Sequence, residues 1–189
     1  MSDEARIAEG LTMLARLAEA AAADPAPIAR MARRYTDTLR AGGTLLFAGN
    51  GGSAADAQHL ATEYVVRFQR NRRALSALAL SADSSILTAA GNDLGFDQIF
   101  ARQVEALGKP GDLLVLHSTS GESVNLLRAA EAARRAGVAV VALLGKGGGP
   151  LAALVDEALI VPSNTTHRIQ EMHLAIEHAI AELVEAELT

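Results

Sequence analysis

Twice in this sequence a short apolar run ends in a Gly- or Ser-rich polar turn that opens directly into a helix-length segment. In the first, Thr44-Leu45-Leu46-Phe47-Ala48 leads into Gly49-Asn50-Gly51-Gly52-Ser53 and then an Ala-rich stretch reaching Phe68. In the second, Asp112-Leu113-Leu114-Val115-Leu116-His117 leads into Ser118-Thr119-Ser120-Gly121-Glu122-Ser123 and then Val124 to Ala136. Apolar runs too short for helices, each followed by a helix, mark βαβ units, and such units build parallel sheets. Further strands are expected at Leu75–Leu80, Val138–Leu143 and Ala158–Val161, with a long final helix from Arg168 to Glu187. The expected fold is α/β, a three-layer, doubly wound, five-stranded parallel sheet.

Ahead of this pattern, Ile7, Leu11, Leu14 and Leu17 recur at helical spacing between Glu4 and Ala22. Pro25 and Pro27 interrupt them, a second helix runs from Ile28 to Arg40, and Gly42-Gly43 ends it. The chain of 189 residues suits one domain, with a helical extension over residues 1–41 and an α/β core over 42–189. The extension's apolar face has no evident use in a minimal domain; it packs either on the sheet or on another copy of the chain. Hydrophobic residues make up 50% of the chain and aromatics only 3%, so the core is built from Ala, Leu, Val and Ile, as in buried parallel sheets.

A net charge of -5 provides no global field for nucleic acid. The local cluster Arg67, Arg70, Arg72 and Arg73 is either a solvated loop or a greeting for a small anion. The absence of cysteine excludes disulfides and thiolate chemistry and suits a reducing compartment. The acidic start Met1-Ser2-Asp3-Glu4 lacks a basic n-region and apolar h-region, and no apolar run approaches the about 20 residues that span a bilayer. A soluble, cytoplasmic protein without membrane or nucleic-acid partners is expected.

Ligands of open parallel sheets bind beyond the carboxyl ends of the strands, where both polar turns lie. A helix N-terminus there offers free N–H groups and partial positive charge to a phosphate. Gly51 and Gly52 permit close backbone approach, and Ser118, Thr119, Ser120 and Ser123 add hydroxyls. Neither turn has the Rossmann spacing or the P-loop Lys. N-capping alone is another account of Ser53 and Ser123. Two such turns at equivalent places favour a phosphorylated, hydroxyl-rich ligand.

A helix over 53–68 carries His59, Glu63 and Arg67 at i, i+4 and i+8, on one side. His59 and Glu63 are close enough to share a metal or a proton, although such a pair, or Glu63–Arg67, is also an ordinary exposed helix contact. The last helix offers Gln170, His173, Glu177 and His178. Gln170 and His178 are eight apart, about 12 Å along an ideal axis, so spacing alone does not select among these residues.

Gly49-Asn50-Gly51-Gly52-Ser53-Ala54-Ala55-Asp56-Ala57-Gln58-His59, with Glu63 and Arg67-Phe68, resembles the signature of bacterial phosphoheptose isomerases. So do Asn92-Asp93 with Gly95-Phe96, Ser118-Thr119-Ser120-Gly121 with Ser123, and Arg168-Ile169-Gln170-Glu171 with His173 and His178. The resemblance runs from about Leu39 to the C-terminus and takes in the two-helix extension. It implies a SIS (sugar isomerase) domain with flavodoxin-like strand order, and interconversion of sedoheptulose 7-phosphate and D-glycero-D-manno-heptose 7-phosphate. It also implies homotetramers with sites between subunits and one Zn²⁺ per subunit, held by His59, Glu63, Gln170 and His178. Substrate contacts implied by position are Asn50, Gly51, Gly52, Ser53, Glu63, Arg67, Asn92, Asp93, Ser118, Thr119, Ser120, Ser123 and Gln170.

Aldose–ketose isomerisation moves a proton between adjacent carbons through an enediol and needs an acid/base pair, here Glu63 at carbon and His178 at oxygen. A carboxylate held tightly by zinc is a weaker base, so the two roles of Glu63 compete. The chain departs from the family pattern at His117, at His167 and in the loop Pro162-Ser163-Asn164-Thr165-Thr166, which bears on substrate stereochemistry and length. His117 and His167 either alter contacts to distal hydroxyls or are solvated neighbours of the site. Three rivals share the fold. The adaptor that associates with a replication initiator lacks an acid matching Glu63 and has an altered second loop. SIS-containing regulators carry a DNA-binding domain for which no residues remain here, and other isomerases act on other sugar phosphates.

Overall fold

Five strands and seven α-helices follow one another in the computed structural model, which describes residues 1–189. Helices α1 (Asp3–Ala23) and α2 (Ala26–Arg40) precede β1 (Leu45–Gly49), α3 (Gly52–Val65), β2 (Ala77–Ala79) and α4 (Ser84–Asp93). Then come α5 (Ala101–Leu107), β3 (Leu113–Ser118), α6 (Val124–Ala136), β4 (Ala139–Leu144), β5 (Glu157–Ile160) and α7 (Thr166–Leu188). Short 3-10 turns occupy Phe96–Gln98 and Pro150–Ala153. All strand pairs are parallel, in the order β2-β1-β3-β4-β5. The order reverses between β1 and β3, the neighbouring strands that carry the two polar turns. Their register sets Gly49 beside His117, so both turns leave the sheet side by side.

Successive strand residues face opposite sides. Leu45, Phe47, Leu113, Val115, Val141 and Leu143 pack under α2, α3 and α7. Leu46, Ala48, Leu114, Leu116, Ala142 and Leu144 pack under α4, α5 and α6. The two faces of the extension part company. Met31, Tyr35 and Leu39 of α2 enter the first core, whereas α1 buries no residue fully and leaves Ile7 and Leu11 exposed. No helix is long and apolar enough to cross a membrane.

Helices α3 and α7 lie side by side and run in the same direction. Contacts descend in step, from Asp56 with Gln170, through His59 with His178, to Phe68 and Arg72 with Glu185. Helix α3 stops at Val65, short of the expected Phe68, so Arg67 lies beyond it and not on the face of His59 and Glu63. The chain is turned aside by Glu185, whose carboxylate accepts the backbone N–H groups of Phe68, Gln69 and Arg70. Arg72 closes the end by donating to the carbonyls of Glu63 and Tyr64 and pairing with Glu185 at 3.1 Å. Its side chain is 4% exposed, so this member of the Arg cluster is a buried clamp and neither a solvated residue nor a free anion contact.

His173, fully buried on α7, donates from Nε2 to the Leu144 carbonyl, 3.1 Å away. Burial, with help from nearby His117, depresses its pKa from 6.5 to about 4. The unfolded chain therefore takes up this proton first on acidification. Stability is full above about pH 6.5 and falls between there and about pH 4, by about 3 kcal/mol in total at 1.36 kcal/mol per unit. Urea unfolding across this range is expected to show the slope, and His173→Gln, which keeps a donor for Leu144, to remove its share. An unchanged slope in the variant would refute the assignment.

Candidate active site

At the carboxyl end of β1 the chain turns through Asn50 and Gly51, and α3 begins at Gly52. Gly51 has φ +57°, a left-handed conformation that glycine adopts without strain. No side chain caps this helix; the N–H groups of Ser53, Ala54 and Ala55 turn back to the carbonyls of Asn50 and Gly51. Gly52 is needed for closeness, because a Cβ there would run into the carboxamide of Gln170. In the second turn, Ser118 Oγ accepts the Gly121 N–H at 3.0 Å and Ser120 Oγ accepts that of Glu122 at 3.2 Å. Ser123 sits at the N-cap of α6 but makes no cap bond, and Ser53 lies inside the first turn of α3. Capping therefore explains neither. Asn50 and Asn125 exchange two hydrogen bonds, of 2.9 and 2.8 Å, which lace the first turn to the helix behind the second.

One step further along α3 and α7, three side chains converge. His59 Nε2 lies 2.9 Å from His178 Nε2 and 3.4 Å from Glu63 Oε1. One ligand atom from each falls within 4.8 Å of the others. At this distance the two imidazole nitrogens hold a single proton between them, one donating and the other accepting. Two imidazoles and a carboxylate form a donor set that suits Zn²⁺, which binds N and O ligands at about 2.0–2.2 Å. The ring of Phe68 packs on His178 with centroids 5.6 Å apart.

Other expected site residues lie elsewhere. Gln170 donates from Nε2 to Asp56 Oδ1 at 3.2 Å, nearer the start of both helices than the His59–Glu63–His178 group. Asn92 donates to Asp93 at 2.7 Å at the exposed end of α4, and Arg67 is also exposed; none of these three bonds to the group. His167 is exposed.

Beneath the site lies a polar layer that spacing did not single out. Glu177, with no exposed surface, accepts at one oxygen from the Tyr35 hydroxyl at 2.8 Å and from His117 Nε2 at 3.0 Å. His117 is thus neither a solvated neighbour nor a surface contact. It continues the inward face of Leu113 and Val115, and its ring stacks on Phe47. The available signal was period two along β3, which places position 117 inside. Burial drives the Tyr35 and Tyr64 hydroxyls well above their usual pKa, and the charge of Glu177 adds to this. Burial also raises the Asp56 carboxyl, against the Gln170 hydrogen bond and the charges of His117 and His59.

Known proteins of similar sequence and structure identify the family. The SIS domain family matches residues 11–145. The phosphoheptose isomerase of Akkermansia muciniphila is 55% identical over 161 residues, 85% of each chain. The structure of phosphoheptose isomerase GmhA from Neisseria gonorrhoeae matches with a TM-score of 0.92 at 40% identity, covering 98% of this chain and 100% of that one. That of the enzyme from Francisella tularensis matches at 0.95 and 36%, over the same shares. By its domain match and its identity to these relatives, the chain is an isomerase and belongs to the phosphoheptose isomerases of the SIS domain family.

Proposed function

We propose that the chain interconverts sedoheptulose 7-phosphate and D-glycero-D-manno-heptose 7-phosphate as one SIS domain over residues 1–189. The observation that carries this reading is the convergence of His59, Glu63 and His178 along the helix that the first turn opens. The junctions suit the phosphate and the hydroxyls, through Asn50, Gly51, Gly52, Ser53, Ser118, Thr119, Ser120 and Ser123. Glu63 removes the proton from the carbon beside the carbonyl while His178 delivers one to the carbonyl oxygen, giving an enediol. Loss of the other enediol proton to His178 and return of a proton from Glu63 to the neighbouring carbon complete the exchange.

His59, Glu63 and His178 would hold a Zn²⁺, with Gln170 as a fourth ligand once released from Asp56. Bound there, the ion would stabilise negative charge developing on the substrate oxygen. Glu63 and His178 then serve as base and acid to the extent that the carboxylate and the ring nitrogen are not drawn to the metal. Exposed Arg67, Asn92 and Asp93 are proposed to reach the substrate in a neighbouring subunit of a cytoplasmic homotetramer. The exposed Ile7 and Leu11 of α1, and the exposed Leu94 and Phe96 beside Asn92-Asp93, support such an assembly.

The test is conversion of sedoheptulose 7-phosphate by the purified protein, followed by NMR, after chelation and with Zn²⁺ restored. Formation of an aldoheptose 7-phosphate is expected, faster with Zn²⁺; no conversion in either condition overturns the substrate assignment. Gly52→Ala tests the first junction. Gln170 is a flexible neighbour and alanine favours the helix, so stability is expected to change by less than about 1 kcal/mol. The added methyl is aimed at the Gln170 carboxamide, so KM should rise roughly ten-fold, about 1.4 kcal/mol, as that side chain is pushed from the site. An unchanged KM would remove Gly52 from the substrate site.

A further inference from the structure

We propose that His117 and Glu177 are positioning residues that join the floor of the two substrate turns to the helix turn carrying His178. The inference rests on the reading of His178 as an acid–base residue. His117 is the penultimate residue of β3, paired in register with Gly49 on one side and Leu143 on the other, directly before Ser118. Glu177 directly precedes His178 on α7 and points into the sheet, whereas His178 points at α3. A bond from His117 to Glu177 therefore fixes the rotation of α7 about its axis, and with it the direction of the His178 ring. Tyr35 of α2 donates to the same oxygen, so three elements meet at one atom.

The arrangement is costly if it serves packing alone. Glu177 and His117 have no exposed surface, and Glu177 Oε2 and His117 Nδ1 have no partner. Apolar groups of similar volume are often neutral or stabilising in place of such a pair. Ile176, Ile180 and Val184 of the same helix fill this core with such groups. What the polar pair adds is direction, since a hydrogen bond constrains distance and angle where an apolar contact does not.

The experiment compares the parent with Y35F/H117L/E177L, which removes all three partners together and leaves no lone buried charge, and with Glu177→Gln, which keeps an acceptor for both donors. The readouts are thermal stability, kcat and KM, and the His178 side-chain cross-peak, resolvable among five histidines by NMR. The triple variant is expected to be as stable as the parent or more so, with a displaced His178 cross-peak. Its kcat should fall roughly ten-fold or more at little-changed KM, because small misplacements of reacting groups are expensive. Glu177→Gln should retain the parent cross-peak and kcat within about three-fold, a loss under 0.7 kcal/mol. A stable triple variant with an unmoved His178 cross-peak overturns the proposal, whatever its activity. If the parent itself fails to turn over sedoheptulose 7-phosphate, the substrate reading falls, and the cross-peak still decides this one.

Discussion

Glu63→Gln is expected to lower kcat by roughly 10²–10⁴-fold, the contribution of a positioned acid–base group, with the fold intact. The amide has nearly the shape of the carboxylate but cannot accept the substrate proton. The side chain keeps an open edge at 15% exposure, its Oε1 lies 3.4 Å from His59, and the clamp on the end of α3 uses the Glu63 backbone carbonyl, which the substitution leaves in place. Melting temperature should therefore stay close to that of the parent while product formation, followed by NMR, nearly stops. Glu63→Asp keeps the charge one methylene short and should fall between the two. Near-normal turnover by Glu63→Gln would end the assignment of Glu63 as the base.

The second large effect is on stability. Glu185→Ala is expected to cost about 3–5 kcal/mol, the range for removing one partner of a buried ion pair. The carboxylate is the sole acceptor joining Phe68, Gln69, Arg70 and Arg72, and both charged side chains are 4% exposed. Burial by itself pushes the Glu185 carboxyl up, but the three N–H groups and the Arg72 charge together outweigh it and leave the pKa lowered. An acid with a lowered folded pKa adds stability above its unfolded value, near 4.5, and loses it as pH falls through the folded one. Glu185→Ala should thus flatten the stability profile below about pH 4.5, where most of the His173 slope is already spent. Phe68 would leave His178, so activity should decline along with the urea midpoint. A loss under about 1 kcal/mol would mean that Arg72 and the loop reach water and that the clamp is no more than a surface pair.

Features set by local backbone period were readable from the residues alone. Runs such as Leu45–Ala48 and Leu113–Leu116 followed by Gly- and Ser-rich turns specify strands that feed helices. His59 and Glu63, four apart, share a helix face wherever that helix packs. The motif resemblance then pointed to the family, and identity over most of the chain established it. A second helix is expected from the residues over Ile28–Arg40, and the structure supplies its buried stripe through Met31, Tyr35 and Leu39.

Tertiary structure decided what depends on partners far along the chain. His178 joins His59 across 119 positions because α3 and α7 pack in the same direction, and the same stagger keeps Gln170 at Asp56. The end of α3 is set by Glu185, 117 residues beyond Phe68, which no pattern near Val65 announces. His117 and Glu177, each polar among apolar neighbours, find one another only when β3 lies beneath α7. The physical reason is one of range. Periodicity records which side of each element avoids water, whereas pairing depends on which avoided sides cover one another, a choice made by burial over the whole chain at once.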